Sequence, residues 1–255
     1  FQGPFTLHSV MSLSLGVAAN RLRIRTPPDS GGSFGVKQAV FPYIVAMALA
    51  SRLAGRPVKW VEDRLEHLLA ANAATGRVTR IEAAITSEGE VTAFDITQLE
   101  DCGAYLRAPE PASLYRMHGN LSGPYKLRHM RVRNQVALTN TVPSGLNRGF
   151  GGPQLYYAIE RLMDKIATTL DIDRVELRKR NLISSSEFPY RCPAGALLDS
   201  GDYQRSVDIA SAEGKLPDLL RRRDSARAEG RLYGIGCAAV VEPSMSNMGY
   251  ITAVL

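Results

Sequence analysis

Apolar and polar residues follow two different periods along the chain, one typical of helices and one typical of strands. The clearest helical pattern follows Gly152, where apolar residues recur three or four positions apart, as one buried helical face requires. The residues of that face are Leu155, Ile159, Leu162, Met163, Ile166 and Leu170. Pro153 suits the first turn of a helix, since its missing N–H would have no helical partner there. The pattern predicts a long amphipathic helix that begins at about Pro153.

Other stretches carry weaker helical patterns and recognisable ends. The predicted helices lie near 5–17, 36–53, 171–183, 204–214 and 216–230. The second is followed by Gly55 and Pro57, a usual stop signal. Glu62, Asp63 and Glu66 are typical of a charged helix start, because carboxylates are favourable at a helix N-terminus.

Alternating apolar and polar positions predict strands in the remaining stretches. They lie at "RLRIRT" (21–26), "PVKWVED" (57–63), 77–89, 90–101 and 130–140, and a pair is predicted within 232–255. The two strands that meet at "SEGE" form a predicted hairpin. A loop with turn signals at 184–200 suggests a boundary within the domain. Helices and strands without a regular βαβ repeat predict an α+β fold with mixed sheets and packed helices.

Composition narrows the functional class. The 255 residues carry a net charge of +6, but the densest basic cluster, 219–231, is interrupted by Asp224 and Glu229. This favours a solvated helix face or a subunit contact over nucleic-acid binding. No run of apolar residues is long enough for a membrane span, and we expect no membrane association.

The cysteines and the chain ends give two further expectations. The cysteines, Cys102, Cys192 and Cys237, are widely spaced. Their spacing argues against a zinc site, an iron–sulfur site in this chain and a disulfide framework, and it favours the reducing cytoplasm. The chain starts without a methionine and stops within the predicted strand "ITAVL". We therefore expect residues 1–255 to form a partial domain, from either a split subunit or a shortened chain.

Candidate chemistry lies in two loops that share an unusual composition. "DSGGSFGVK" (29–37) and "NRGFGGPQ" (147–154) each place one phenylalanine among glycines at a predicted helix start. Unpaired N–H groups at such a position favour an anion or an electron-rich oxygen. The loops match neither a phosphate-binding P-loop nor a dinucleotide-binding pattern. The alternatives are a close approach of two backbones at the first loop, a core position for Phe150, and a salt bridge or carbonyl contact for Arg148.

The pair of loops resembles the molybdenum-cofactor domain of the xanthine dehydrogenase and aldehyde oxidase family of molybdenum hydroxylases. The matching motifs are "GGSFGVK" (31–37) and "RGFGGPQ" (148–154), supported by "FQGPF" (1–5), "GRPVKWVEDRLEHL" (55–68) and "RKRNLI" (178–183). The resemblance runs through essentially the whole chain. It implies that the loops bind a molybdenum–molybdopterin cofactor, which we expect in its cytosine dinucleotide form.

The resemblance also implies roles for individual residues. Those implied to bind the cofactor are Gln2, Gly32, Ser33, Phe34, Gly35, Arg148 and Gly149. Phe150 matches the aromatic that stacks on a planar substrate. Gln38 stands where purine-oxidising members have a glutamate, which argues against a purine. Arg116 falls near a substrate-orienting arginine, and a surface salt bridge is the alternative. Carbon monoxide dehydrogenases have a cysteine at the position of Gly149, and the absence of that cysteine argues against carbon monoxide oxidation.

The function implied is oxidation of an aromatic N-heterocycle, an aldehyde or an aromatic acyl thioester, with water as the oxygen source. The family's catalytic glutamate lies in a later segment, so we expect no catalytic base or metal ligand in this chain and no activity of the chain alone. Glu242 does not match that glutamate's surroundings. The implied partners are the complementary C-terminal half of the molybdenum subunit, an iron–sulfur subunit and an FAD subunit. The alternative is a non-catalytic assembly or binding module that retains the fold.

Overall fold

The computed structural model describes residues 3–29, 31–36, 41–74, 76–106, 117, 119–149 and 151–242. The chain divides into two compact units. Unit 1 comprises 1–77, 99–113 and 135–150, and unit 2 comprises 78–98, 114–134 and 151–255. The chain therefore passes between the units several times, while residues 184–200 lie inside unit 2. The boundary suggested there stays a prediction.

Unit 1 contains three of the helices. These are α1 (Pro4–Leu15), α2 (Phe41–Ala54) and α3 (Arg64–Ala70). A capping box starts α3, because the Asp63 carboxylate accepts from the Glu66 N–H at 2.8 Å while the Glu66 carboxylate accepts from the Asp63 N–H at 2.9 Å. This confirms the predicted charged helix start. In the segment before α3, Trp60 packs against Tyr43 with ring centroids 5.0 Å apart.

A three-stranded sheet runs in the order β1 (Gly76–Ile85), β2 (Val91–Asp101), β3 (His129–Ala137). The first two strands form the predicted hairpin, whose turn is closed by the Thr86 N–H donating to the Glu90 carbonyl at 2.9 Å. The start of β3 lies beside the start of β2, since the Arg128 N–H donates to the Thr92 carbonyl at 3.1 Å. Three residues further along both strands, Arg131 and Asp95 form an ion pair. The outer strand β3 therefore runs parallel to β2.

The long amphipathic helix is present as α4 (Gly152–Leu170), and its apolar face supplies much of the core of unit 2. Leu155, Ile159 and Met163 are buried beside Phe94 and Ile96 of β2. Each such side chain stabilises the fold by about 1.5–3 kcal/mol relative to full exposure. The helical period in the sequence thus predicted both this element and the face that it buries.

A buried polar network holds α4 against α5 (Arg174–Asn181). The guanidinium of Arg178 is fully buried and donates through Nε to the Glu160 carboxylate at 2.7 Å. The Tyr125 hydroxyl donates to the other oxygen of that carboxylate at 2.6 Å. Burial lowers the pKa of Arg178, but Glu160, Tyr125 and Asp164 raise it by more, so the net shift keeps the guanidinium charged. "RKRNLI" is therefore in large part a structural motif.

The end of α5 also fixes the β1–β2 hairpin. The Asn181 amide donates to the Gly89 carbonyl at 2.9 Å, and its Oδ1 accepts from the Val91 N–H at 2.7 Å. Beyond α5, unit 2 contains α6 (Tyr203–Glu213), α7 (Leu216–Ala228) and a two-stranded antiparallel pair, β4 (Tyr190–Arg191) with β5 (Leu197–Leu198). The sequence predicted a loop where this pair lies.

Three predicted strands are wrong among the described residues. Residues 21–26, 57–63 and 232–242 form no strand. The last stretch nevertheless keeps a period of two in its exposure, with Ile235, Cys237 and Ala239 half-buried and their neighbours exposed. An alternating sequence favours an extended backbone, but a strand also needs a neighbour to share its hydrogen bonds. The rest of the predicted pair at 243–255 lies outside the described residues.

Candidate functional site

The first glycine-rich loop, residues 31–36 of unit 1, holds an exposed aromatic in a strained backbone. Phe34 has a φ of 53°, in the left-handed region, and 59% of its surface is exposed. Its ring lies over Gly32, where an added Cβ would stand 2.9 Å from Phe34 Cε2. Left-handed backbone at a residue other than glycine costs of order 1–3 kcal/mol and is concentrated at functional sites. The loop therefore presents an apolar ring to its surroundings at some cost in stability.

The second loop, residues 144–149 of the same unit, is fixed at its start by main-chain hydrogen bonds. The Ser144 N–H donates to the Cys102 carbonyl at 3.0 Å, and the Gly145 N–H donates to the Ala73 carbonyl at 3.0 Å. Ser144 and Ala73 form an isolated parallel bridge. The loop is thereby attached to the end of β2 and to the segment that follows α3. Along the chain it leads into α4.

The two loops touch each other in unit 1. The Arg148 N–H donates to the Phe34 carbonyl at 2.8 Å. Gly35 is buried at the same place, with a φ of 97°, and a Cβ there would lie 2.7 Å from the Leu146 carbonyl oxygen. Only a residue without a side chain allows this approach, and the φ also favours glycine. Two segments distant in sequence thus form one continuous main-chain surface.

The structure places six of the predicted cofactor residues on these loops: Gly32, Ser33, Phe34, Gly35, Arg148 and Gly149. Ser33 is half-buried, whereas Arg148 is exposed. Gln2, Gln38, Arg116 and Phe150 lie outside the described residues. The roles assigned to all ten residues stay predictions. For Arg148, the hydrogen bond to Phe34 is made by the main-chain N–H and not by the guanidinium.

A carboxylate anchors the turn that precedes the second loop. Asp101 accepts from the Thr139 hydroxyl at 2.6 Å and from the Gly103 N–H at 2.8 Å. These two hydrogen bonds lower the pKa of Asp101 below its ordinary value. The turn between β3 and the second loop is therefore held in place by an ionised side chain.

Sequence reasoning missed Asn72, which follows α3. Its Nδ2 donates to the Leu146 carbonyl at 2.9 Å, and only 6% of the residue is exposed. Nothing in the sequence distinguishes this asparagine from an ordinary polar residue after a helix, because its partner is far away along the chain. Glu242 of unit 2, which the sequence did not match to a catalytic glutamate, accepts from the Tyr156 hydroxyl at 2.9 Å.

The pair of loops fits the pterin part of the predicted cofactor in two respects. Gly31 is exposed and a Cβ there would meet no described atom within 4 Å, so the main chain is open at this point, as a cradle for a flat, hydrogen-bonding ligand requires. Phe34 adds an exposed aromatic surface, and Arg148 adds a positive charge for an anionic group.

Within the described ranges no group of three or more His, Cys, Asp or Glu residues could hold a metal ion. In the part of the chain that the structure describes, no helix has the length and apolar content needed to cross a membrane.

Comparison with known proteins shows the family to which the chain belongs. Residues 1–182 match the family model described as the molybdopterin cofactor-binding domain. The chain is 34% identical over 255 residues to the nicotine 6-hydroxylase large subunit of Paenarthrobacter nicotinovorans, covering 99% of this chain and 31% of that protein. It is 31% identical over 250 residues to the carbon monoxide dehydrogenase large chain of Hydrogenophaga pseudoflava, covering 94% of this chain and 31% of that protein.

A solved structure shows the same fold. Quinoline 2-oxidoreductase from Pseudomonas putida 86 superposes with a TM-score of 0.83 at 29% identity, covering 90% of this chain and 29% of that one. The chain spans about a third of the length of the relatives that it matches. The chain therefore belongs to the molybdopterin cofactor-binding domain family of the xanthine dehydrogenase and aldehyde oxidase type.

Proposed function

We propose that the protein holds the molybdopterin cofactor in a molybdenum hydroxylase that oxidises an aromatic N-heterocycle, with water as the oxygen source. The observation that carries this proposal is the 2.8 Å main-chain hydrogen bond between Arg148 and Phe34, which joins the two loops predicted to bind the cofactor. Nicotine and quinoline, in the names of two relatives, are both aromatic N-heterocycles. Aldehydes and aromatic acyl thioesters are the other substrate classes to test.

In this mechanism, the residues of this chain bind the cofactor and orient the substrate. When bound, the cofactor supplies the metal centre at which water and substrate react. The N–H groups of the two loops hydrogen-bond the pterin, and the Arg148 guanidinium pairs with an anionic group of the cofactor. Phe34 covers the cofactor with its ring and keeps bulk water from it, and Phe150 stacks on the planar substrate. The base that takes the proton from the attacking, water-derived oxygen belongs to a segment outside this chain.

The proposal includes partners, because the chain matches about a third of its relatives' length. We propose that the complementary C-terminal portion of the molybdenum subunit completes the site, and that iron–sulfur and FAD subunits carry the electrons away. The three cysteines, all free thiols, support a cytoplasmic location for this assembly. The chain alone is then inactive.

Two surfaces support the need for a complementary portion. On α3 of unit 1, Leu65, Leu68 and Leu69 are 67%, 69% and 68% exposed, and their spacing places them on one helix face. Exposed apolar faces of this kind are typical of protein contacts. In unit 2, residues 232–240 make no main-chain hydrogen bonds with other described residues. Their alternating burial suits pairing with a strand from another segment.

Association is testable by gel filtration of the chain with and without the complementary portion. We expect a stable complex that Val240→Lys weakens, since Val240 is exposed at the C-terminal end of the unpaired segment. Leu197→Lys is the matched control, because Leu197 is similarly exposed but lies on the β4–β5 pair. Equal effects of the two substitutions would contradict the proposed contact.

Elemental and cofactor analysis of the intact native complex tests the function itself. We expect molybdenum and pterin, with iron and flavin in the partner subunits, and cytidine monophosphate after acid hydrolysis. A screen of N-heterocycles, aldehydes and acyl thioesters with a dye as electron acceptor then identifies the substrate class. A complex that contains both portions yet neither molybdenum nor pterin would instead support the non-catalytic assembly module.

A further inference from the structure

Asn72 is buried at the point where the second loop meets the segment after α3. Its Nδ2 donates to the Leu146 carbonyl at 2.9 Å. A Cβ at Gly145 would lie 2.7 Å from that same nitrogen, so the loop backbone packs directly against the Asn72 amide. The adjacent Gly145 N–H donates to the Ala73 carbonyl at 3.0 Å. The Asn72 side chain and the Ala73 main chain therefore hydrogen-bond to two consecutive residues of the loop, Leu146 and Gly145.

The carbonyl that Asn72 holds is also the one that borders the first loop. Leu146 O would lie 2.7 Å from a Cβ at Gly35, which places this oxygen against the bare main chain of Gly35. Two residues further on, the Arg148 N–H bonds to Phe34. A rotation of the Leu146 peptide would therefore alter both contacts between the loops. The Asn72 amide is a hydrogen-bond donor positioned to prevent that rotation.

The oxygen of the Asn72 amide, unlike its nitrogen, makes no hydrogen bond to the described residues. Asn72 Oδ1 is buried and has no hydrogen-bond partner in the part of the chain that the structure describes. A buried polar atom without a partner reduces stability, so such atoms are uncommon and call for an explanation. The explanation that fits here is that Asn72 is required for the hydrogen bond that its Nδ2 donates to the Leu146 carbonyl.

We propose that Asn72 is a positioning residue for the cofactor site, resting on the function proposed above. It acts through the Leu146 carbonyl and sets the spacing between the loops at 31–36 and 144–149. It thereby keeps the N–H groups of both loops directed at one ligand. Loss of the donor loosens the contact between the loops and weakens the hold on molybdopterin, while the core of unit 2 is unaffected.

The test uses the intact complex with Asn72→Asp, which preserves side-chain size but turns a carboxylate oxygen toward the Leu146 carbonyl. The first readout is hydrogen exchange at the Arg148 amide, whose N–H bonds to the Phe34 carbonyl and so reports the contact between the loops themselves. We expect exchange on the order of tenfold faster, as loss of one hydrogen bond allows. The second readout is the release of molybdenum and pterin below the melting temperature, which we expect to accelerate by a similar factor.

Asn181→Asp is the matched control, because Asn181 is a buried amide of unit 2 that also donates to main-chain carbonyls. We expect it to lower the melting temperature without changing exchange at Arg148 or cofactor release. Asn72→Ala, which adds no charge, gives the same readouts if the aspartate variant does not fold.

The outcomes separate this inference from the proposed function. Exchange at Arg148 that is unchanged in both Asn72 variants, or equally accelerated in Asn181→Asp, overturns the positioning role. Fast exchange in the Asn72 variants, with a wild-type complex that contains no molybdenum or pterin, supports the loop contact but refutes the proposed function.

Discussion

Gly35→Ala is the substitution that most sharply perturbs the contact between the two cofactor loops. A methyl group at this position would stand 2.7 Å from the Leu146 carbonyl oxygen, 2.8 Å from its carbon and 2.9 Å from Leu146 Cδ2. The first two atoms belong to the main chain, so a change of rotamer cannot relieve the overlap. The loops must separate, or the 144–149 backbone must move.

The cost has two parts. A φ of 97° is strained for alanine, which costs about 1–3 kcal/mol. Forcing a methyl group into a closely packed site costs about 1–3 kcal/mol more. Together they give about 2–6 kcal/mol, which is a large fraction of the stability of an ordinary domain. Part of the overlap is relieved by separating the loops, so we expect cofactor affinity to fall together with stability.

Gly31→Ala provides a matched control in the same loop. Gly31 has a φ of 69°, but a Cβ there would meet no described atom within 4 Å. Alanine at position 31 therefore adds backbone strain but no steric overlap. We expect the complex with Gly35→Ala to lose most of its molybdenum and pterin, measured by metal analysis and pterin fluorescence, while Gly31→Ala retains most of both. Full cofactor content in Gly35→Ala, with a melting curve like that of the control, would refute the reasoning.

Three further predictions concern the framework around the site. Arg178→Ala should reduce the free energy of unfolding by about 3–5 kcal/mol, because it leaves the Glu160 carboxylate buried without its cation. Arg180→Ala, on the exposed face of the same helix, should cost at most about 0.5 kcal/mol, and similar losses in chemical denaturation would contradict the role of the buried pair. Tyr125→Phe should cost about 1–3 kcal/mol by the same assay, since its hydroxyl donates to the buried Glu160 carboxylate, and no loss would show that this bond is dispensable. The pKa of Asp101 is lowered in the folded state, so its stabilising contribution is present above the ordinary value of 3.8 and is lost as the pH falls through the lowered value. Asp101→Asn should therefore remove part of the acid sensitivity of unfolding in this range, and an unchanged pH profile would show that the carboxylate does not contribute.

The sequence predicted the elements whose signals are local. The helical period at 155–170 and the two alternating stretches that meet at "SEGE" appear in the structure as α4 and the β1–β2 hairpin. In both cases the buried face can be read from residues within one element. The capping box at Asp63 was equally readable, because both of its residues lie within one turn.

The errors arise where structure depends on distant partners. Residues 21–26 and 57–63 alternate as strands do, but in the described structure neither acquires a strand neighbour. An extended segment and a strand have the same local pattern and differ only in their hydrogen-bond partners. Conversely, the short β4–β5 pair arises in a stretch with no alternating run.

The candidate site divides in the same way. Local composition predicted two glycine-rich loops with exposed backbone, and the resemblance to a family predicted that they act together. The bond between Arg148 and Phe34 and the amide contact of Asn72 with Leu146 join residues far apart in the chain. Neither contact leaves a periodic signal in the sequence. "RKRNLI", which supported the resemblance, proved to contribute Arg178 and Asn181 to the framework of unit 2.

Anomalous X-ray scattering at the molybdenum absorption edge, from crystals of the complete native complex, tests the central claim most directly. It locates the metal without assuming where the cofactor binds. We predict a single molybdenum peak for each copy of this chain, with pterin density in contact with both the 31–36 loop and the 144–149 loop. A molybdenum peak whose pterin touches neither loop would contradict the account.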